Sequence, residues 1–221
     1  MGKNLKKSMV LIKKGAEANL YLTEWEGEIV LLKKRIPKKY RVAKLDKNLR
    51  DYRTIREVEN LFLARKFGVP TPIVLSIDIL SNTIIMEYIN GQRVKEALEI
   101  VDKNKRIRIC KQIGHHIGRL HKNNLIHGDL TSSNMIITDE EKIFFIDFGL
   151  SFHSNEHEDM GVDIHLLKRA LYSSHYKYAE ESYEAIKIGY KDKVGEKESD
   201  KIFKKASQIE RRGRYFINRS F

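Results

Sequence analysis

Two short motifs in the second half of the chain contain the residue types that phosphoryl transfer requires. Residues 127–134 read HGDLTSSN, and residues 146–149 read IDFG. Asp129 offers a carboxylate that could orient or deprotonate an acceptor hydroxyl. Asn134 and Asp147 offer hard oxygen ligands for a magnesium ion that bridges phosphates. The residue types therefore predict ATP and Mg²⁺ as cofactors of a phosphotransferase.

The order of the two motifs is more specific than either motif alone. Kinases carry a catalytic loop written H-R-D-x-x-x-x-N, followed by D-F-G. The same order is found here, with short apolar segments between the motifs and Gly128 in the position of the usual Arg. The alternative is that Asp129 and Asn134 are turn residues and that Asp147 caps a loop. The matched roles and context favour phosphoryl transfer.

A kinase also needs a strand lysine that grips the α- and β-phosphates, and a helix glutamate that holds this lysine. The V-A-I-K template maps onto residues 30–33, which makes Lys33 the predicted lysine and Lys34 the competing candidate. Because side chains alternate along a strand, only one of the two can enter a cleft. Glu57 and Glu59 are the candidate glutamates, and Glu57 is favoured because it borders an apolar stripe.

The turn before this strand departs from the kinase pattern. Of the glycine-rich loop G-x-G-x-x-G, only one glycine remains in the stretch GAEA. Its backbone could still approach a phosphate, although the acidic side chain brings negative charge toward the nucleotide. A plain hairpin turn is the alternative. The predicted nucleotide contacts at this turn are Gly15, Ala16, Glu17 and Ala18.

Two further stretches bear on the predicted site. Residues 86–89 occupy the position of a kinase hinge, where backbone groups of Glu87 and Ile89 are predicted to hydrogen-bond adenine. After the D-F-G motif no A-P-E follows, so no platform for a peptide substrate is evident. Asp159 and Asp163 have two interpretations: they cap the next helix, or Asp163 supports the catalytic loop from below.

The bulk properties describe one globular unit or two small lobes. The chain has 221 residues, 41% of them hydrophobic, and a net charge of +12. The strong positive charge favours proximity to nucleic acid, although a lysine-rich surface also keeps proteins soluble. The single Cys110 fits a reducing, cytoplasmic setting. The basic N-terminus has an apolar part too short for a signal peptide, and no long apolar run predicts a membrane span. His127 is expected to be a buried structural residue rather than a metal ligand.

The hydrophobic patterns predict strands first and helices afterwards. This order predicts an α+β fold of the minimal bilobal protein-kinase type, with a β-rich N-lobe, an α-helical C-lobe and a nucleotide cleft between them. The predicted divisions are an N-lobe at 1–86, a hinge and C-lobe at 87–210 and a basic tail at 211–221. The predicted helices are 51–67, 107–121, 162–171, 178–190 and 201–211, the first with Ile55, Val58, Leu61 and Phe62 facing inward.

Several of these segments together resemble the PRPK family. This family is the small atypical kinase subunit of the KEOPS (or EKC) complex, and it is related to the RIO kinases. The likeness covers nearly the whole chain. The segments that carry it are GAEA at 15–18, K-x-R-x-P-K-x-Y-R at 33–41, Arg53-Thr54 with Glu57, HGDLTSSN at 127–134, IDFGL at 146–150, Glu158-Asp159 with Val162-Asp163, and the tail R-G-R at 212–214.

The resemblance implies a partner system as well as a fold. Members of the family bind the larger ATPase-fold subunit that makes the threonylcarbamoyl adenosine modification of tRNA, and they contact a small regulatory subunit through the N-lobe. They autophosphorylate and can act as ATPases. We therefore expect an unfused archaeal member whose basic tail lies near tRNA or the partner. A small-molecule phosphotransferase and a non-catalytic module that binds tRNA or a partner are the alternatives.

Overall fold

The computed structural model describes the backbone of residues 9–217 and the side chains of residues 9–212. The basic segment at 1–8 and the last four residues of the predicted tail lie outside the described residues. No helix in the described part of the chain is long and apolar enough to cross a lipid bilayer. The fold is α+β, with an antiparallel sheet followed by a mainly helical part, so the predicted fold class is confirmed.

The N-terminal part is a five-stranded sheet. Its strands are β1 (Val10–Lys14), β2 (Ala18–Trp25), β3 (Glu28–Arg35), β4 (Val74–Asp78) and β5 (Thr83–Glu87). They pair antiparallel in the order β1-β2-β3-β5-β4. A two-residue turn at Glu26 and Gly27 joins β2 to β3, and both residues have a positive φ, as a tight hairpin of this type requires. The pairing places the end of β3 beside the start of β2.

Helix α1 (Ala43–Lys66) begins eight residues earlier than the prediction of 51–67. Its buried side chains include polar ones, and the full set is Asp46, Thr54, Glu57, Asn60, Leu61 and Ala64. The predicted inward stripe was wrong at two positions, because Ile55 and Phe62 are 41% and 67% exposed. Of these side chains, Glu57 lines the cleft described below, and Asn60 donates to the carbonyl oxygen of Ser151 at 3.0 Å.

The C-terminal part is built on helices. They are α2 (Val94–Ile100), α3 (Lys103–Lys122), α4 (His157–Ser174), α5 (Ala179–Val194) and α6 (Glu196–Ile217). Helix α4 begins five residues before the predicted start, and α6 continues six residues beyond the predicted end at Arg211. Helices α3 and α5 approach closely through glycines: a Cβ on Gly114 would lie 2.1 Å from the Ile186 carbonyl oxygen, and one on Gly189 would lie 1.9 Å from that of Lys111.

Short strands bracket the two sequence motifs. They are β6 (Gln92–Arg93), β7 (Leu125–Ile126), β8 (Met135–Ile137), β9 (Ile143–Phe145) and β10 (Phe152–His153). Strands β6, β8 and β9 form one small sheet, and β7 pairs with β10 in another. Residues 127–134 lie between β7 and β8, and residues 146–149 lie between β9 and β10. The strands of these two small sheets therefore flank both motifs and bring them close together.

Candidate active site

A cleft of about 610 Å³ lies between the five-stranded sheet and the helical part. The predicted site residues from both parts line it. They are Gly15, Ala16, Glu17, Ala18, Lys33, Glu57, Glu87, Ile89, Asp129, Asn134 and Asp147. A volume of this size is in the range of small-molecule and nucleotide pockets. The fold thus brings together side chains that are more than a hundred residues apart in the sequence.

Lys33 occupies the centre of an ion-pair network in this cleft. Its Nζ lies 2.5 Å from Glu57 Oε1 and 2.8 Å from Asp147 Oδ1. Burial alone would lower the pKa of Lys33, but the carboxylates of Glu57 and Asp147 raise it above its ordinary value. Lys33 is therefore a firmly charged ammonium. Its neighbour Lys34 is exposed on the other face of β3, as strand alternation requires.

Of the two candidate glutamates on α1, the structure places Glu57 at Lys33. Glu57 is only 1% exposed, whereas Glu59 is exposed on the outer side of the helix and pairs with Arg56. Both carboxylate oxygens of Glu57 are used: Oε1 accepts from Lys33, and Oε2 accepts from Arg35 Nη2 at 2.6 Å. A buried carboxylate needs such partners, since the loss of one leaves an uncompensated charge.

Asp147 lies opposite Glu57 in a strained backbone conformation. Its φ is +64°, which is uncommon for a residue other than glycine and recurs at functional sites. Burial would raise the pKa of its carboxyl group, but the positive charges of Lys33 and Arg35 together with His127 lower the pKa to about 2. Asp147 therefore carries its negative charge at any physiological pH.

Asp129 and Asn134 form the third part of the site. The side-chain nitrogen of Asn134 donates to Asp129 Oδ2 at 2.8 Å and to the Asp129 carbonyl oxygen at 2.9 Å. Asn134 is itself fixed, since its backbone carbonyl oxygen accepts a hydrogen bond from the backbone nitrogen of Ile146 at 2.9 Å. This bond ties the catalytic-loop motif to the D-F-G motif. Because the Asn134 side chain bonds to Asp129 Oδ2, the other carboxylate oxygen, Oδ1, is not used by Asn134.

The donor atoms fit a magnesium ion bound together with phosphates. Asn134 uses its amide nitrogen toward Asp129, so the side-chain oxygen is the atom that remains for a cation, and Asp147 adds a carboxylate. Among residues 9–212, no group of three or more His, Cys, Asp or Glu side chains could hold a metal ion by itself. Magnesium in phosphoryl-transfer sites commonly takes one or two protein ligands and completes its shell with phosphates and water.

The catalytic loop is supported from below by α4. Asp163 is fully buried and accepts hydrogen bonds from the backbone nitrogens of His127 at 2.7 Å and Gly128 at 2.9 Å. His121 Nε2 also lies 3.3 Å from Asp163 Oδ2. Burial would raise the pKa of Asp163, but His121 and the other donors lower it below its usual value. The helix begins at His157, so the capping interpretation of Asp163 was wrong and the supporting interpretation is the one observed.

The glycine in H-G-D has a local structural reason. Gly128 has a φ of +79°, and a Cβ at this position would lie 2.3 Å from the carbonyl oxygen of Leu150. An arginine, as in the usual kinase loop, would therefore force the backbone near Leu150 to move. His127 is 0% exposed and its ring packs against Phe148, with 4.7 Å between the ring centroids. It is a structural residue, as expected.

A second support for the catalytic loop was not found from the sequence. His175, at the C-terminal end of α4, is 1% exposed and places Nε2 3.3 Å from Ser132 Oγ and Nδ1 2.5 Å from Glu99 Oε1. Ser132 lies between Asp129 and Asn134 in the loop. Nothing in the spacing of a single histidine more than forty positions away could have indicated this contact.

The turn at residues 15–18 is closed by a backbone hydrogen bond and is held by further hydrogen bonds and ion pairs to neighbouring segments. The backbone nitrogen of Gly15 donates to the carbonyl oxygen of Ala18 at 3.0 Å, and that of Ile36 donates to the carbonyl oxygen of Glu17 at 3.1 Å. The Glu17 carboxylate pairs with Arg35 and Arg53. Burial would raise the pKa of Glu17, but these guanidinium groups lower it. The negative charge that was expected to face the nucleotide is thus matched by two arginines.

The predicted hinge offers fewer free backbone groups than expected. The backbone nitrogen of Glu87 already donates to the carbonyl oxygen of Ile73 at 2.8 Å. The backbone nitrogen of Glu87 is therefore not available to a ligand in this conformation. Ile89 is buried at 7% exposure on the cleft wall, next to Tyr88. Both residues line the cleft at the C-terminal end of β5.

Comparison with known proteins gives one family. The model of the RIO domain matches residues 32–172. A KEOPS complex subunit Bud32 from Pyrococcus abyssi is 46% identical over 213 residues, which is 94% of this chain and 96% of the relative. A probable serine/threonine-protein kinase BUD32 homolog from Archaeoglobus fulgidus is 39% identical over 201 residues, 91% of this chain and 94% of the relative.

Longer relatives contain a similar segment. A probable bifunctional tRNA threonylcarbamoyladenosine biosynthesis protein from Methanothermobacter thermautotrophicus is 41% identical over 205 residues, which is 93% of this chain. The chain spans only 36% of the length of that relative. The family resemblance read from the motifs is confirmed by these matches.

Proposed function

Because the chain belongs to the RIO-domain family, and within it matches kinase-like Bud32 subunits of KEOPS complexes over nearly its whole length, we propose that it is an ATP- and magnesium-dependent kinase or ATPase. The observation that carries the proposal is the cleft in which Lys33 bridges Glu57 and Asp147, close to the hydrogen-bonded pair of Asp129 and Asn134. This set of side chains is the one that phosphoryl transfer uses in kinases.

Each side chain of this set has a proposed role, and Asn134 has two. Lys33 binds the α- and β-phosphates, and Glu57 orients Lys33. Asp129 accepts a hydrogen bond from the acceptor hydroxyl or water through Oδ1 and takes its proton as the new bond to the γ-phosphorus forms and the bond from that phosphorus to the leaving ADP breaks. Asn134 holds the Asp129 carboxylate in place through Oδ2. Asn134 and Asp147 would hold magnesium, which when bound neutralises the charge that develops on the phosphate oxygens.

The remaining predicted contacts concern the two ends of the nucleotide. Backbone groups of the turn at 15–18 cover the phosphates, and the carbonyl oxygen of Glu87 and the backbone of Ile89 contact the adenine. We propose that the hinge begins at Glu87, with the N-lobe before it and the C-lobe after it to residue 210. Residues 211–221 act as a basic tail, whose first part continues α6.

We further propose that the activity serves the threonylcarbamoyl adenosine modification of tRNA. The support comes from the relatives, which include a KEOPS complex subunit and a probable tRNA threonylcarbamoyladenosine biosynthesis protein. The proposed partners are an ATPase-fold subunit that transfers the threonylcarbamoyl group, a small regulatory subunit at the N-lobe, and tRNA. A net charge of +12 fits a polyanionic partner.

Phosphate release from ATP and autophosphorylation, each measured with and without tRNA and the ATPase-fold partner, test the proposal. The Asp129→Ala variant should lose turnover by at least about 100-fold, while its thermal unfolding stays close to that of the unaltered chain. Asp139→Ala, at an exposed position of the β8–β9 turn, is the matched control and should keep full turnover. Unchanged turnover in Asp129→Ala would exclude the assigned mechanism.

The same assay separates the alternatives. Phosphate transfer to aminoglycosides, choline or sugars, with no response to tRNA or the partner, would indicate a small-molecule phosphotransferase. The positive charge also supports a role in holding tRNA that does not depend on catalysis. In that case Asp129→Ala should bind tRNA as the unaltered chain does, with an affinity that falls steeply as salt is added.

A further inference from the structure

The turn at residues 15–18 lacks the glycines of a flexible phosphate-binding loop, yet it is held in place more firmly than a plain hairpin. Besides the backbone bonds already described, Lys38 Nζ donates to the carbonyl oxygen of Ala16. The Glu17 carboxylate receives Arg53 on one oxygen and Arg35 on the other. Side chains from β3, from α1 and from the segment between them thus fix the position of a turn that glycines would leave mobile.

Arg35 is the member of this set that also reaches the centre of the cleft. It is only 4% exposed, and it lies two residues beyond Lys33 on the same face of β3. Its Nη1 lies 3.5 Å from Glu17 Oε2, and its Nη2 lies 2.6 Å from Glu57 Oε2. One guanidinium group therefore joins the turn to the carboxylate that holds Lys33.

The D-F-G motif also makes room for this guanidinium. A Cβ on Gly149 would lie 2.6 Å from Arg35 Nη2. A larger residue at this position would displace Arg35 from Glu57. The position of Arg35 therefore depends on three separate segments of the chain, those that carry Glu17, Glu57 and Gly149.

We propose that Arg35 is a positioning residue that couples the turn at 15–18 to the Lys33–Glu57 pair, so that the turn is held at the distance at which its backbone meets the nucleotide phosphates. This inference rests on the proposed function. Arg35 does not touch the phosphates itself. It holds Glu57 by one oxygen while Lys33 leaves Asp147 for the phosphates, and it holds Glu17 at the same time.

The planar fork of arginine is what this role requires. A guanidinium can donate to two carboxylates from different nitrogens, whereas a lysine presents one compact ammonium group. Lysine at position 35 would keep the charge beside Glu57 but could not span to Glu17 as well. The change Arg35→Lys should therefore break the coupling while it leaves the buried carboxylate paired, and Glu17→Gln should break it from the other end.

Calorimetric binding of two ligands tests the coupling. The ligands are magnesium with a non-hydrolysable ATP analogue, and adenosine, which has no phosphates. Arg35→Lys and Glu17→Gln should each weaken binding of the analogue by about tenfold, since each removes a charge-assisted hydrogen bond from the turn. Adenosine affinity should change by less than about twofold, because the adenine end of the cleft is untouched.

The double variant makes the test independent of the size of each effect. If Arg35 and Glu17 act through one another, the combination of Arg35→Lys and Glu17→Gln should weaken analogue binding no more than either change alone. Arg56→Lys, on the outer side of α1 where Arg56 pairs with Glu59, is the matched control and should bind both ligands normally.

Three results would overturn the inference. They are unchanged binding of the analogue in both single variants, an equal loss for the analogue and adenosine, and additive effects in the double variant. An equal loss would mean that Arg35 has only a general structural role. If the unaltered chain binds no ATP analogue, the proposed function fails together with this inference, whereas normal binding by the unaltered chain and its variants rejects the coupling alone.

Discussion

The carboxylate of Asp163 accepts a hydrogen bond from the backbone nitrogen of His127 at 2.7 Å, across 36 positions of the sequence. The second carboxylate oxygen accepts from Gly128 at 2.9 Å. One buried side chain of α4 therefore fixes the two residues that precede Asp129. The orientation of the Asp129 carboxylate depends on a helix that does not itself line the cleft.

Asp163→Asn should both destabilise the protein and slow the proposed ATP turnover. An asparagine retains one acceptor oxygen and turns an amide group toward a backbone N–H, so one buried donor loses its partner. The expected loss of unfolding free energy is about 3 kcal/mol. Urea unfolding and phosphate release measure the two effects. Asp159→Asn, in the first turn of the same helix, should change the unfolding free energy by less than about 1 kcal/mol.

Substitutions of the two neighbouring lysines of β3 should have very different effects on ATP turnover. Lys33→Met removes the ammonium that contacts both Glu57 and Asp147, so turnover should fall by at least about 100-fold. Lys34→Met removes only an exposed charge and should leave turnover within about twofold of the unaltered chain. Phosphate release at saturating ATP measures both. Equal losses in the two variants would contradict the assignment of Lys33.

His116 should make the stability depend on pH between about 6.5 and 4. Burial, together with the positive charges of Arg119, His115 and Lys193, lowers the pKa of His116 from 6.5 to about 4. The unfolded chain therefore takes up a proton as the pH falls through 6.5, while the folded chain resists it down to about 4. Stability on the order of 3 kcal/mol is present above pH 6.5 and is lost as the pH falls through this range.

Unfolding free energies measured across this pH range provide the test. The uncharged variant His116→Gln should have a flatter pH profile than the unaltered chain. The same substitution at the exposed His153 is the control and should preserve the original profile. If both variants retain the full slope between pH 6.5 and 4, the slope arises from other groups.

The contact between α3 and α5 should tolerate no added methyl group at Gly189. A Cβ there would lie 1.9 Å from the carbonyl oxygen of Lys111, a backbone atom that cannot rotate away. Gly189→Ala should cost about 3 kcal/mol or more, even though alanine favours a helix. Gly161→Ala should cost clearly less, because its nearest neighbours, Lys205 Cβ at 3.0 Å and the Ala206 backbone nitrogen at 3.2 Å, need to move by only a small distance. Thermal unfolding compares the two variants.

The fold could largely be predicted because its signals are local. The strands around Gly15, the turn at Ser81 and Asn82 and the short strands on either side of Asp139 all follow from period-two patterns and turn residues. Helix α1 is the exception. Its buried side carries Thr54, Glu57 and Asn60, so the assignment of apolar residues to the inside placed Ile55 and Phe62 there wrongly.

Some residues of the candidate site could also be predicted from local sequence patterns, and others could not. The V-A-I-K template selected Lys33, strand alternation kept Lys34 out of the cleft, and helical spacing separated Glu57 from Glu59. The contact of His175 with Ser132 depends on the tertiary fold and has no local signal. Arg35 did have a signal, since it lies two positions beyond Lys33 and must share its face of the strand.

The direct contact between Lys33 and Asp147 makes the two ligands of the cleft interdependent. In the proposed function, phosphate oxygens compete with Asp147 for Lys33, and a cation competes with Lys33 for Asp147. Each partner is the counter-ion of the other until nucleotide and metal arrive together. Binding of either ligand should therefore raise the affinity for the other by the same factor, as thermodynamic linkage requires.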